Sequence, residues 1–132
     1  MHRAWLLIAL LVAAPLSAQE YQPYPQPKVT IEQWQAYLNS VREYLEPTAE
    51  IYKDKHIVAF QNPDTRTFYI FTTKDHPAHP AWVTRQLVEQ DGQVKVRQIG
   101  YYAGNEQAFD KLFREYLQRN EELMKEVAKR NR

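Results

Sequence analysis

Apolar positions recur at steps of three and four through Ile31, Trp34, Leu38, Val41 and Leu45, with Glu32, Gln35, Asn39, Arg42 and Glu43 between them. That spacing lays one apolar stripe along a helix. Thr30 and Gln33 have the spacing of a capping box, and Val29 with Trp34 that of a hydrophobic staple, so the helix is predicted to begin at Ile31. Pro47 pushes Glu46 out of helical geometry, which predicts an end at Leu45. A second stripe runs through Phe109, Leu112, Phe113, Tyr116, Leu117, Leu123, Met124 and Val127, interrupted by Asn120. Asn105 is its N-cap, Glu106 and Asp110 suit the positive end of the dipole, and Lys125, Lys129, Arg130 and Arg132 suit the negative end. This predicts helix from Glu106 to about Ala128.

Between the helices, four runs read as strands: His56–Gln61, Arg66–Thr73, Ala81–Gln90 and Gln93–Tyr102. Asn62-Pro63-Asp64-Thr65 joins the first two, with proline at the second turn position where its fixed φ is wanted. RTFYIFTT carries apolar residues on both faces, the pattern of a central strand, or of one covered by helices on one side and a ligand or partner on the other. Asp91-Gly92 is a strong hairpin signal and sets a register. Gln90 opposes Gln93, Leu87 opposes Val96, Arg85 opposes Gln98 and Trp82 opposes Tyr101. One face then carries Val83, Leu87, Val94 and Val96, ready to meet a helix; the other carries Gln86 and Arg97 near the turn, and Trp82 with Tyr101 farther along.

The order predicts an α+β fold: a helix, a four-stranded antiparallel meander and a long C-terminal helix, with both helices packed on one face of the sheet. A terminal helix of about 35 Å exceeds the width of so small a sheet. Its last turns, with Leu123, Met124 and Val127, are then a candidate surface for a homodimer.

The start of the chain has a different pattern. His2 and Arg3 lead into an apolar run from Ala4 to Ala14, Pro15 breaks it, and Leu16-Ser17-Ala18 offers small residues before Gln19. This is the three-part pattern of a signal peptide over residues 1–18, and the run is too short for a spanning helix of about 20 residues. The expected location is periplasmic or secreted. Gln19–Lys28, with Pro23, Pro25 and Pro27 alternating, reads as a partly disordered, polyproline-like leader. Residues 29–132 then form a single domain.

Composition narrows the function classes. The 132 residues hold 17 Lys and Arg against 16 Asp and Glu. Without Arg3, which belongs to the leader, the two signs balance at 16 each. Phosphate recognition needs clustered cation excess, so nucleic acid is not the expected partner. The absence of cysteine excludes disulfides, thiolate zinc and thiol nucleophiles. It also excludes the lipid-bearing cysteine of a lipoprotein, so no stable membrane anchor is expected after signal cleavage. There is no Gly-x-Ser-x-Gly, no His-Glu-x-x-His and no phosphate-binding glycine loop, and no motif calls for a cofactor.

Two groups of side chains are candidates for chemistry. Asp75, His76 and His79 lie in KDHPAHPAW and suit a metal, although prolines after both histidines favour extended geometry that spreads the rings about 9 Å apart. Arg85 and Gln98, facing each other among apolar neighbours, with Trp82, Tyr101 and Tyr102 nearby, make a candidate ligand or partner surface. Arginine, tyrosine and tryptophan are the residue types enriched where interfaces bind tightly. The expectation is a small exported, non-enzymatic binding module that recognises a protein or a cell-envelope component. The alternative is an exported metal-binding protein or hydrolase-like enzyme using the Asp75/His76/His79 loop.

Overall fold

The computed structural model describes residues 23–130. The predicted signal peptide and the first residues of the leader lie outside that range, as do residues 131–132. Helix α1 spans Ile31–Leu45. Gln33 N donates to Thr30 Oγ1 at 3.0 Å and Thr30 N donates to Gln33 Oε1 at 2.9 Å, the reciprocal pair of a capping box. Trp34, Leu38 and Val41 are buried along its stripe, while Ile31 is 59% exposed. Pro47 starts a single 3₁₀ turn over Glu46–Thr48.

Five antiparallel strands follow in chain order: β1 (Glu50–Tyr52), β2 (Ile57–Asn62), β3 (Thr67–Thr72), β4 (Ala81–Gln90) and β5 (Gln93–Tyr102). The meander carries one strand more than expected. β1 has three residues, all exposed, and so lacks the buried alternation that marks a strand in sequence. A turn over Lys53–Lys55 and a left-handed His56 (φ 57°) return the chain into β2. The β4–β5 pairing runs from Gln90↔Gln93 to Ala81↔Tyr102, the register expected from the turn. Asp91 and Gly92 both take positive φ, 56° and 76°, as a type I′ hairpin turn requires.

The terminal helix α2 covers Glu106–Arg130, and Asn105 Oδ1 accepts from Ala108 N at 2.8 Å to cap it. Its placement corrects the single-faced arrangement. Trp82 packs with Trp34, Leu38 and Val41 of α1, whereas its neighbour Val83 packs with Phe109 and Leu112 of α2. Successive strand residues point to opposite faces, so the helices sandwich the sheet. The physical cause is the pair of strands β3 and β4. Ile70, Phe71 and Thr72, and Ala81 through Thr84, are buried on both sides and need cover on both. Of the C-terminal apolar stripe, Met124 and Val127 are half-buried and Leu123 is 36% exposed.

The described part of the proline-rich leader is docked, not free. Tyr102 N donates to Pro27 O at 2.9 Å and Val29 N donates to Tyr102 O at 2.9 Å, forming a parallel bridge at Lys28. Tyr24 lies edge-on to Tyr37, Trp82 and Tyr101, and its carbonyl accepts from Tyr101 Oη at 2.9 Å. The prolines block helix but leave alternate carbonyls free to meet the edge of β5. Among the described residues, no helix is long and apolar enough to cross a membrane.

Candidate functional site: a cleft under the terminal helix

Helix α2 approaches the sheet over β5, where Gly100 lies against Phe109 and Phe113. From there it covers the β1–β3 part of the same face incompletely, leaving a hollow over the buried Ile57 and Ile70. The registers Ala59↔Ile70, Gln61↔Phe68 and Phe68↔Arg85 place Ile57, Ala59, Phe68 and Ile70 on that face. These form the floor of a cleft of 280 Å³ walled by Tyr116 and Arg119 of α2 on one side and Tyr52 on the other. It continues past Lys55 and Arg119 into a second hollow bordered by His76, Glu115 and Glu122. Phe68 remains 36% exposed on the floor.

Arg85 projects from β4 into the cleft and is half-buried. Its Nε donates to Asn120 Oδ1 at 2.8 Å. Asn120 Nδ2 donates onward to Gln98 Oε1, and Gln98 Nε2 donates to the Phe113 carbonyl at 2.9 Å, which closes a relay from sheet to helix. The guanidinium carbon stands 5.2 Å from the centre of the Tyr116 ring, and that of Arg119 stands 5.5 Å from the same ring. Two cations therefore lie against one aromatic ring. Burial pulls the Arg85 guanidinium below its usual value, with Tyr116 opposing and Arg119 adding to the lowering, yet a guanidinium stays protonated at neutral pH. Burial pushes the Tyr116 phenol up, although Arg119 and Arg85 act to lower it. Arg85 takes part in no ion pair among the described residues. The acid nearest its floor, Glu50, accepts a hydrogen bond from Tyr52 Oη at 3.0 Å. The 280 Å³ cleft thus combines an apolar floor with Lys55, Arg85 and Arg119 against Glu50 alone.

No protein-family model matches the chain, and neither the curated proteins nor the solved structures contain a match. The geometry of the site therefore carries the functional argument.

Of the surface expected around Arg85, only Arg85 and Gln98 come together. Trp82 and Tyr101 point to the α1 face, where Trp82 is 0% exposed, stacks on Tyr37 at 4.6 Å and lies tilted against Tyr101 at 4.7 Å. Tyr102 shares the α2 face but stacks on Phe109 at 5.0 Å, away from the cleft. These three aromatics are core. The sequence carries no site signal at Tyr116, Arg119, Lys55 or Phe68, and Asn120 stands out in it only as a break in a stripe. That break was the available signal: a polar residue on a buried helix face needs a partner, and Asn120 is buried at the centre of the relay.

The His-Pro loop differs from the extended ladder expected of it. His76 N donates to Thr73 O at 3.1 Å and His79 N donates to His76 O at 3.0 Å, two successive turns. His76 Nδ1 accepts from Ala78 N at 2.9 Å. His79 Nδ1 lies 2.8 Å from Thr72 Oγ1, and its ring stands edge-on to Trp34 at 5.0 Å. Asp75 takes a left-handed φ of 81° in the first turn. Burial is the main cause that lowers both imidazole pKa values. Among the described residues, no three His, Asp or Glu side chains form a group able to hold a metal ion.

Proposed function

We propose that this chain works outside the cytoplasm as a non-enzymatic binding module for a cell-envelope component, and that the cleft under α2 is its recognition site. The export half of this reading rests on the pattern of residues 1–18. The binding half rests on one observation: beneath Tyr116 the sheet face keeps Phe68 36% exposed and Ala59 half-buried above the buried Ile57 and Ile70, whereas the opposite face of the same strands is packed against α1. A concave apolar floor with a few converging polar groups is the usual form of a ligand site. Clamping Arg85 by the Asn120–Gln98 relay keeps its charge in place before any ligand arrives, which lowers the cost of binding.

The test uses the exported protein, isotopically labelled, with solubilised envelope fractions. Amide signals of Phe68, Ile70 and Tyr116 are expected to shift together in the natural protein and to stay still in Ala59→Trp, whose indole fills the floor. Shifts that persist in a folded Ala59→Trp variant, or that cluster on α1, would place recognition elsewhere and refute the proposal.

A further inference from the structure

The cleft's charge pattern narrows what it takes. Resting on the reading of the cleft as the recognition site, we infer that its ligand is a small carboxylate with an apolar body, held by Arg85 at the acid end. Three cations, Lys55, Arg85 and Arg119, border the 280 Å³ hollow against the single carboxylate of Glu50. Arg85 commits its Nε to Asn120 and one face of its guanidinium to Tyr116. Its two terminal nitrogens have no carboxylate partner among the described residues. A half-buried cation without a counter-charge is costly, and a guanidinium fork is shaped for two-pronged binding of a carboxylate. Phe68 and the half-buried Ala59 continue from that fork as a short apolar strip over the buried Ile57 and Ile70, so charge and body are recognised in sequence along one groove. An inorganic anion would leave the strip uncovered, and a neutral amphiphile would leave the fork empty. The volume is at the small end of ligand sites, which suits a short ligand.

The shared chemistry has an aromatic and an aliphatic form, and the experiment separates them. Calorimetry on the exported protein compares 4-phenylbutyrate, its neutral amide twin, decanoate and acetate. At least one of the two amphiphilic acids is expected to bind, and the tighter of them identifies the body. For 4-phenylbutyrate, binding about tenfold or more tighter than the amide is expected, from charge-assisted hydrogen bonds in a partly desolvated site. Acetate is expected not to saturate. Arg85→Met should weaken the acid about tenfold while leaving the amide unchanged, and Arg119→Gln should weaken it less. Failure of both amphiphilic acids to bind overturns the inference. So does equal affinity of acid and amide, which is read on the natural protein and does not depend on how any variant folds. If acid and amide bind equally and Ala59→Trp abolishes the binding of both, the cleft remains the site and only the ligand class is wrong. If folded Ala59→Trp binds as well as the natural protein, the cleft reading itself falls.

Discussion

Replacing Gly100 by alanine tests how closely α2 is seated on the sheet, and hence how the wall of the cleft is held. A methyl group built there would stand 2.7 Å from Phe109 Cζ and 2.9 Å from Phe113 Cδ1. Carbon atoms in contact prefer about 3.5–4.0 Å, so ring and strand must part by roughly 1 Å. A gap of that size forfeits a quarter to a half of the attraction between the atoms lining it. Overpacking of this kind costs about 1–3 kcal/mol. Against that, alanine recovers about 0.5–1 kcal/mol of the conformational entropy that glycine loses in a strand. The balance is a destabilisation of up to about 2.5 kcal/mol, centred near 1 kcal/mol, which is about 4 °C in Tm for a domain of this length. Urea melts and thermal scans followed by near-ultraviolet circular dichroism would measure it. Phe109→Leu removes the closest ring carbon, so the double variant should lose less than the sum of the single ones, with a coupling of about 0.5 kcal/mol or more. A Gly100→Ala protein that melts at or above the natural temperature, or strict additivity with Phe109→Leu, would refute the argument.

Three other outcomes follow from the hydrogen bonds and titrating groups. Asn120→Ala removes two hydrogen bonds of the relay at once, leaving Gln98 Oε1 and Arg85 Nε without their partner; the expected cost is about 1–3 kcal/mol by urea denaturation. Thr72→Val keeps the shape but removes the hydroxyl that accepts from Ala81 N at 2.9 Å and contacts His79 Nδ1. A loss of about 1–3 kcal/mol is expected, because the buried amide is left without an acceptor. Burial holds His76 and His79 below the ordinary imidazole value, with His56 and His79 adding to the lowering at His76 and Glu115 opposing it. The unfolded chain therefore binds more protons than the folded one below about pH 6.5, and stability should fall as pH drops from 7 to 5. Urea midpoints across that range measure the slope, and His79→Gln should flatten it; a midpoint that rises on acidification contradicts the burial argument.

Elements carried by local chemistry could be read from the residues alone. The Thr30–Gln33 box, the Asp91-Gly92 turn and the Asn105 cap each act within a few positions, and α1, β4 and β5 have the predicted bounds. What escaped depended on distant partners. Arg66–Thr73 is apolar on both faces, but periodicity does not say which helix covers which face. β1 forms because β2 offers it a ladder, through Ile51↔Val58 and Tyr52↔Ile57, and its own three residues carry little preference. The site was half legible for the same reason. Hairpin register brought Arg85 opposite Gln98, whereas Tyr116, Arg119 and Asn120 reach them only through the path of α2. Trp82 and Tyr101 looked like an exposed rim because β-propensity and interface enrichment favour the same residue types.

The docking of Tyr24–Lys28 has a consequence for how these molecules tolerate crowding. A sheet with free borders invites polymerisation, one molecule adding its strand to the next. Here the Pro27 and Lys28 backbone already occupies the Tyr102 end of the outermost long strand, and its alternate prolines offer few donors to a newcomer. The opposite border is β1, only three residues long and followed by Lys53, Asp54 and Lys55, which make a poor template. A chain clipped after Lys28 would uncover the longer border, and fibrous assembly should then outpace that of the intact protein.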